Sequence, residues 1–156
     1  MLCQSFKRIA MVQSNTVMPQ YARAYFSSGA VDRSKFLIDA GELQDLIAEG
    51  SPSLRLVNAS WYLPMQKTDA KAQHVENRLT KETQYFSISE IAEPGSDLPN
   101  TMPNAEVFIE NMRALRIRKD DTIVMYDHLG MFSVARAAFM MRYFGASNVR
   151  ILNGGL

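Results

Sequence analysis

The feature that most constrains the fold is an alternation of helical and extended segments from residue 36 onward. Three segments have the apolar spacing of amphipathic helices, and short, continuously apolar runs separate them. Such runs are typical of strands buried on both faces, as in a parallel sheet covered by helices. The pattern therefore predicts an α/β domain with a mostly parallel sheet. The predicted helices are residues 40–49, 105–116 and 133–144, and the predicted strands are residues 54–60, 84–88, 121–126 and 149–152.

Two of these helices begin with recognisable start signals. Asp39 directly precedes the first predicted helix, and Glu42 stands three residues after Asp39, which is the spacing of a capping box. Gly50 has the usual place of a C-terminal cap. Asn104 is predicted to cap the second helix, because its short polar side chain stands just before the apolar periodicity begins.

The composition excludes several classes of protein. The chain has 156 residues, 47% of them hydrophobic and 21% charged, with a net charge of +1. We therefore expect one domain with its own core, no nucleic-acid partner and no disordered chain. No apolar run of about 18 residues occurs, so we expect no membrane span. The single cysteine, Cys3, excludes an internal disulfide and a cysteine metal site.

The first 30 residues differ from the rest of the chain. They contain the basic residues Lys7, Arg8 and Arg23, several Ser and Thr, and no acid. This composition is typical of a mitochondrial transit peptide, and "RAYFSS" (residues 23–28) has the form of a matrix-processing site. The prediction is a transit peptide at 1–30, a domain at 31–156 and a location in the mitochondrial matrix. A merely disordered tail is the alternative.

The loop between the third predicted strand and the last helix reads D-H-L-G-M-F-S, residues 127–133. Backbone N–H groups after a parallel strand and at a helix N-terminus form an anion cradle, and ligands of open α/β sheets bind at this edge. Gly130 permits the tight turn. A cysteine at position 127 would be held as a reactive thiolate, but the residue is Asp127. The alternative is a well-made turn whose Asp127 accepts hydrogen bonds from the amides ahead of it.

Four ordered motifs resemble the rhodanese superfamily, and in particular its two-domain thiosulfate and 3-mercaptopyruvate sulfurtransferases. "LVNASWYLP" (56–64) is similar to L-D-A-S-W-Y-L-P, and "LPNTMPNAEVF" (98–108) to L-P-H-M-L-P-x-x-x-x-F. The stretch from Tyr126 is similar to Y-D-x-x-G-x-F-S-A-P-R, and "ILNGGL" matches the family's L-N-G-G-L. The chain departs from the family at residues 78–89, which lack Pro-Gly-Ala and the acidic F-D-I-D.

The resemblance implies a domain with a degenerate active-site loop. These enzymes have two rhodanese domains; the second carries the cysteine that takes up sulfur as a persulfide, and the silent first domain has aspartate instead. Asp127 then occupies the position of the catalytic cysteine, Gly130, Phe132 and Ser133 complete the loop, and no residue is catalytic. The implied fold is a three-layer, rhodanese-like domain with a mostly parallel central sheet at 31–156. It is truncated at its C-terminus, so that the last covering helix is missing.

Two functional hypotheses follow from this resemblance. In the first, the chain is the N-terminal domain of a mitochondrial sulfurtransferase that uses thiosulfate or 3-mercaptopyruvate, and it is inactive alone. In the second, it is a stand-alone, cysteine-free binding or structural subunit of a mitochondrial complex. The implied partner is a second rhodanese domain or another mitochondrial protein, and no cofactor is expected.

Several other residues have ordinary expected roles. His74 and His128 lie far apart in the sequence and lack metal-ligand spacing, so we expect both to be exposed and no metal to bind. Arg136 is expected to make an ion pair or a helix-end contact. Trp61 and Tyr62 follow a strand and are expected to pack at the sheet edge.

Overall fold

A central parallel sheet organises the domain, as the alternating pattern predicts. In the computed structural model, which describes residues 32–156, five strands lie in the order β1-β5-β4-β2-β3 and every neighbouring pair is parallel. The transit-peptide prediction falls on residues 1–30, outside the described part of the chain. The strands are β1 (Leu37–Ile38), β2 (Leu54–Asn58), β3 (Gln84–Tyr85), β4 (Thr122–Tyr126) and β5 (Val149–Leu152). The helices are α1 (Ala40–Glu49), α2 (Ala70–Asn77), α3 (Ala105–Ala114) and α4 (Val134–Tyr143), with short 3-10 helices at Arg33–Lys35 and Pro64–Gln66.

Two apolar clusters pack on opposite faces of the sheet, because successive strand residues point to opposite sides. The larger cluster combines one face of the sheet with α3 and α4; Phe108 and Phe144 stack within it with centroids 4.2 Å apart. The smaller cluster joins the other face to α1 through Leu43. Its buried members are Ile38, Leu43, Leu56, Val124, Tyr126 and Leu152.

Helix α2 was not predicted from the sequence, and it lies over the face of the smaller cluster. Its His74 contacts Asn58, which points away from the face of its neighbours Val57 and Ala59 in the larger cluster. Right-handed crossovers explain this placement. The connections from β1 to β2 and from β2 to β3 cross the sheet in one direction, so their helices, α1 and α2, lie on the same face. The connections from β3 to β4 and from β4 to β5 run in the opposite direction, so α3 and α4 lie on the other face. The sheet therefore has two helices on each face, and no helix follows β5 within residues 32–156.

The predicted capping box at α1 is wrong. Asp39 makes no side-chain bond to the first turn. Its carboxylate accepts a hydrogen bond from Asn153 Nδ2 at 3.0 Å, and Glu42 forms an ion pair with Arg150. The other end follows the prediction, since Gly50 closes α1 in the left-handed conformation at φ 63°.

The cap of α3 was predicted correctly. Asn104 Oδ1 accepts a hydrogen bond from the Val107 N–H at 3.0 Å. Among the helices that the structure describes, none combines the length and the apolar character that crossing a membrane requires.

Candidate functional site

The loop that connects β4 to α4 lies at the carboxyl edge of the sheet and starts with a fully buried carboxylate. Asp127 follows the last residue of β4, and its exposed fraction is 0%. Helix α4 begins at Val134, directly after Ser133. Gly130 and Met131 both adopt positive φ, at 71° and 79°. The value for Met131 is one that non-glycine residues rarely adopt, so the surrounding contacts must hold the loop in this shape.

These contacts are hydrogen bonds from backbone N–H groups to the Asp127 carboxylate. Oδ1 accepts from the N–H groups of Leu129 at 3.0 Å and Met131 at 2.9 Å. Oδ2 accepts from Ser133 at 2.7 Å and Val134 at 3.0 Å, and the Ser133 hydroxyl lies 3.3 Å from it. The anion cradle expected from the sequence is therefore formed. The carboxylate of Asp127 itself occupies this cradle. This geometry also agrees with the alternative prediction of a turn in which Asp127 accepts hydrogen bonds from the amides ahead of it.

The cradle keeps Asp127 ionised. Burial alone would raise the pKa of this carboxyl, but the hydrogen bonds from Val134, Ser133, Met131 and Leu129 outweigh it and hold the pKa below its ordinary value. Asp127 is thus a fixed negative charge at neutral pH.

Ser133 and Phe132 connect the loop to the residues that follow β2. The Ser133 hydroxyl donates to the Ala59 carbonyl oxygen at 2.7 Å and accepts from the Trp61 N–H at 3.1 Å. Phe132 is 54% exposed and stacks on Trp61, with ring centroids 6.2 Å apart. The exposed side of the loop therefore presents an aromatic surface and no cation.

The Gly-Gly tail packs directly against the loop backbone. The Leu156 N–H donates to the Asp127 carbonyl oxygen at 3.0 Å. A Cβ atom on Gly155 would lie 2.6 Å from that oxygen and 3.0 Å from Gly130 Cα, and Gly155 has φ 75°. Glycine is therefore required at 155 for both conformation and space. Sequence reasoning recognised this Gly-Gly as a motif but not its contact with the loop.

The two histidines meet beside the loop, which contradicts the prediction that both are exposed. His74 is 8% exposed and His128 is half-buried. Asn58 Nδ2 lies 3.4 Å from His74 Nδ1 and 3.3 Å from His128 Nε2, so one side-chain amide can donate to both rings. The side-chain oxygen of Asn58, Oδ1, accepts from the backbone N–H and the hydroxyl of Ser60. The Ser60 hydroxyl in turn accepts from the backbone N–H of His128 at 3.1 Å.

Both imidazoles are held in the neutral form. Burial lowers the pKa of His74, the positive charge of Arg78 lowers it further, and protonation of His128 would act in the same direction. Burial also lowers the pKa of His128, although the Asp127 carboxylate acts in the opposite direction. Within residues 32–156, no three His, Cys, Asp or Glu side chains are grouped as metal ligands require.

The remaining predicted residues have structural contacts. Arg136 is exposed and donates to the Asn100 carbonyl oxygen, so it contacts a loop backbone rather than a carboxylate. Trp61 Nε1 donates to Ser89 Oγ at 3.0 Å, and Tyr62 bonds to Gln73; both rings are half-buried, in agreement with the expected packing.

Comparisons with known proteins show which family this chain belongs to. The chain is 31% identical over 134 residues to the mitochondrial thiosulfate/3-mercaptopyruvate sulfurtransferase 1 of Arabidopsis thaliana, a match that covers 86% of the chain and 35% of that protein. The crystal structure of a 3-mercaptopyruvate sulfotransferase from Escherichia coli, described as having the rhodanese fold, superposes with a TM-score of 0.72 at 28% identity. That superposition covers 78% of the chain and 46% of the bacterial one. The chain belongs to the rhodanese superfamily. The family and fold predicted from the motifs are therefore confirmed.

A third relative adds a different context. The sulfur transferase subunit described as a sub-stoichiometric part of yeast mitochondrial complex I superposes with a TM-score of 0.70 at 30% identity, covering 76% of the chain and 39% of the subunit. The rhodanese domain described here thus spans less than half the length of each of these three relatives. No protein-family model matches the sequence.

Proposed function

We propose that residues 31–156 are the non-catalytic first rhodanese domain of a mitochondrial sulfurtransferase that transfers sulfur from thiosulfate or 3-mercaptopyruvate to a thiophilic acceptor. The observation that carries this proposal is the Asp127 carboxylate in the amide cradle. A carboxylate is a poor sulfur acceptor, and its negative charge repels an anionic donor from the same N–H groups. The sequence contains no cysteine after Cys3.

In this proposal, Asp127 occupies the position at which a catalytic domain carries its cysteine, and Gly130, Phe132 and Ser133 form the rest of a degenerate loop. The domain would support a second rhodanese domain that carries the nucleophile. Residues 1–30 would act as a transit peptide that directs the protein to the mitochondrial matrix.

The test of inactivity uses the full 156-residue chain with Cys3→Ser, which removes its single thiol. We expect no thiocyanate from thiosulfate and cyanide above the buffer rate, and no persulfide mass increment after incubation with 3-mercaptopyruvate. Cyanide-dependent thiocyanate production by this variant would refute the proposal.

A second variant tests the cradle itself. In the Cys3→Ser background, Asp127→Cys is expected to give a thiol that reacts with iodoacetamide faster than free cysteine, because backbone N–H groups and a helix N-terminus favour the thiolate. Sulfur transfer should stay low, since Phe132 provides no cation for the donor. Adding Phe132→Arg should increase it. Alkylation no faster than that of free cysteine would show that the cradle does not lower the thiol pKa.

Import experiments test the proposed location. A fluorescent protein that carries residues 1–30 should be imported into isolated mitochondria and shortened there. A matched fusion with Lys7→Gln, Arg8→Gln and Arg23→Gln should not be imported, because the positive charges are removed. Equal behaviour of the two fusions would contradict the transit peptide.

The second candidate function is a stand-alone rhodanese-like subunit of a mitochondrial complex. The similarity to the yeast complex I sulfur transferase subunit favours it. The two candidates differ in what the transcript encodes after Leu156. A downstream domain with the Y-C-x-x-G loop supports the sulfurtransferase, and a stop codon supports the subunit. Co-purification of the tagged chain with complex I would support the subunit independently.

A further inference from the structure

A cavity of about 270 Å³ lies between the C-terminal ends of α3 and α4, at the opposite end of β4 from Asp127. Ile123, near the start of β4, forms part of its wall, whereas Asp127 follows the carboxyl end of that strand. The cavity therefore does not belong to the degenerate loop.

The floor of the cavity is apolar. It is formed mainly by side chains of the larger cluster, among them Phe108, Met112, Met141 and Phe144. Ile109 is 47% exposed at its edge, so the cavity opens to solvent beside an apolar side chain. The two methionines are flexible and polarisable, so they adapt to an inserted apolar group.

Three cations surround this apolar floor. Arg113, Arg118 and Lys119 line the cavity, all three are exposed, and no carboxylate is among the lining residues. Within residues 32–156, none of the three side chains forms an ion pair or a side-chain hydrogen bond. Of the two carboxylates that follow Lys119, Asp121 pairs with Arg55 at 3.1 Å, and exposed Asp120 forms no ion pair within residues 32–156. The rim thus has positive charge available for an anion from outside the chain.

We propose that this cavity binds a medium-chain fatty carboxylate, with its alkyl chain on the apolar floor and its carboxylate among Arg113, Arg118 and Lys119. The volume fits this ligand class. The cavity of about 270 Å³ is larger than an apolar cavity of about 150 Å³ that binds benzene, so it has room for an alkyl chain. We expect an eight-carbon chain to lie in this space with its carboxylate at the rim.

The shape of the site favours a small molecule over a protein segment. A helix or strand bound to a protein surface places several anchors along an extended groove. This cavity is instead a compact pocket whose cations, Arg113, Arg118 and Lys119, line the same rim. Apolar burial and charge then act on one ligand that has one chain and one head group.

The probe is sodium octanoate, titrated below its micelle threshold into the full chain with 13C-labelled methionine methyl groups. We expect saturable chemical-shift changes at Met112 and Met141, assigned with the Met112→Leu and Met141→Leu variants. Methionines outside the cavity serve as the internal control. Absence of shifts at both methionines, or equal shifts at methionines across the chain, would overturn the proposal.

Charge variants test the rim without disturbing the core, because the residues are exposed. Arg118→Gln/Lys119→Gln should weaken octanoate binding about tenfold, as expected for the loss of two partly screened charges, and should leave binding of 1-octanol unchanged. Arg116→Gln is the matched control, since Arg116 is an exposed cation of the same segment that does not line the cavity.

Two outcomes would contradict the proposal at this step. One is an equal loss of affinity in Arg116→Gln and in the rim variant, which would indicate a general charge effect. The other is an acidic peptide with one leucine that shifts Met112 and Met141 when octanoate does not, which would make the occupant a protein segment.

Discussion

Replacing Asp127 by asparagine tests whether the carboxylate holds the loop together. The amide side chain would keep one oxygen but replace the other by an NH₂ group. If the NH₂ takes the place of Oδ2, it faces the N–H groups of Ser133 and Val134, which now lie 2.7 and 3.0 Å from an acceptor. If the amide is flipped, it faces the N–H groups of Leu129 and Met131 instead. Two donors therefore lose their acceptor in either orientation; those of Ser133 and Val134 are buried, and those of Leu129 and Met131 are partly buried.

The expected cost follows from these contacts. Each buried donor left without a partner costs about 1–3 kcal/mol, so Asp127→Asn should lower the free energy of unfolding by about 2–6 kcal/mol. A domain of this size has a total stability of about 5–15 kcal/mol. With a urea dependence of about 2 kcal/mol per M, the unfolding midpoint should fall by about 1–3 M.

Equilibrium urea unfolding at pH 7 measures this shift. The control is Asp45→Asn, because Asp45 is exposed on α1 and has no hydrogen bond through its side chain among the described residues. We expect the control to change the stability by less than about 0.5 kcal/mol. If Asp127→Asn behaves like Asp45→Asn, the four N–H bonds do not stabilise the loop and the reasoning is wrong.

The Asp127 carboxylate should also make the free energy of unfolding depend on pH, in a direction that Asp127→Asn can test. The folded-state pKa of Asp127 lies below its ordinary value, so the carboxylate stabilises the fold above the unfolded pKa of about 3.9. That contribution is lost as the pH falls from about 4 through the folded-state pKa. The difference in stability between the unmodified chain and Asp127→Asn should therefore shrink below about pH 4.

Two further predictions concern the surroundings of the loop. The pKa values of His74 and His128 are lowered in the folded state, so their contribution to stability is complete above about pH 6.5 and is lost as the pH falls through the folded values. The melting temperature should therefore drop as the pH is lowered below about 6.5, and it should drop less in His74→Gln. An unchanged slope in that variant would contradict this. Gly155→Ala should lower the melting temperature more than Gly154→Ala. Both glycines have positive φ, but a Cβ at 155 would lie 2.6 Å from the Asp127 carbonyl oxygen, whereas a Cβ at 154 meets nothing within 4 Å. Equal effects in thermal denaturation would show that the close contact is unimportant.

The elements that the sequence predicted correctly are those with a strong apolar pattern. Residues 54–60 and 121–126 contain β2 and β4, and residues 149–152 are β5. The strand predicted at 84–88 is real but ends at Tyr85. Helix α2 was missed because its eight residues bury only His74 and therefore have no apolar stripe. The available signal was Asp69, whose side chain accepts from the N–H groups of Lys71 and Ala72 as an N-cap does.

Errors at the level of single side chains come from contacts distant in the sequence. Asp39 and Glu42 have the spacing of a capping box, but Asn153 and Arg150 compete for their carboxylates across 114 and 108 positions. Local spacing cannot reveal such partners, and the tertiary contact prevails over the local one. Asn58, His74 and His128 were missed as a group for the same reason, since they meet only where parallel strands end together.

The candidate site was only partly predictable. A loop between a parallel strand and a helix N-terminus predicts converging N–H groups, and these are present. What the sequence left open was whether those donors face a ligand or the side chain of Asp127. The structure resolves this because the aspartate is fully buried and each of its oxygens accepts two backbone bonds.

The filled cradle indicates how the side chain of one residue can hold the loop between β4 and α4 in its shape. Several N–H groups that converge on one point repel each other unless an acceptor lies between them, and in a catalytic domain the proposed acceptors are a thiolate and the anion that it processes. Here both oxygens of Asp127 accept from the converging N–H groups, and these bonds hold Met131 at φ 79°. The Asp127 carboxylate is thus the group that keeps the loop in this shape. Substitutions that remove an acceptor oxygen at position 127 should therefore lower the stability of this loop.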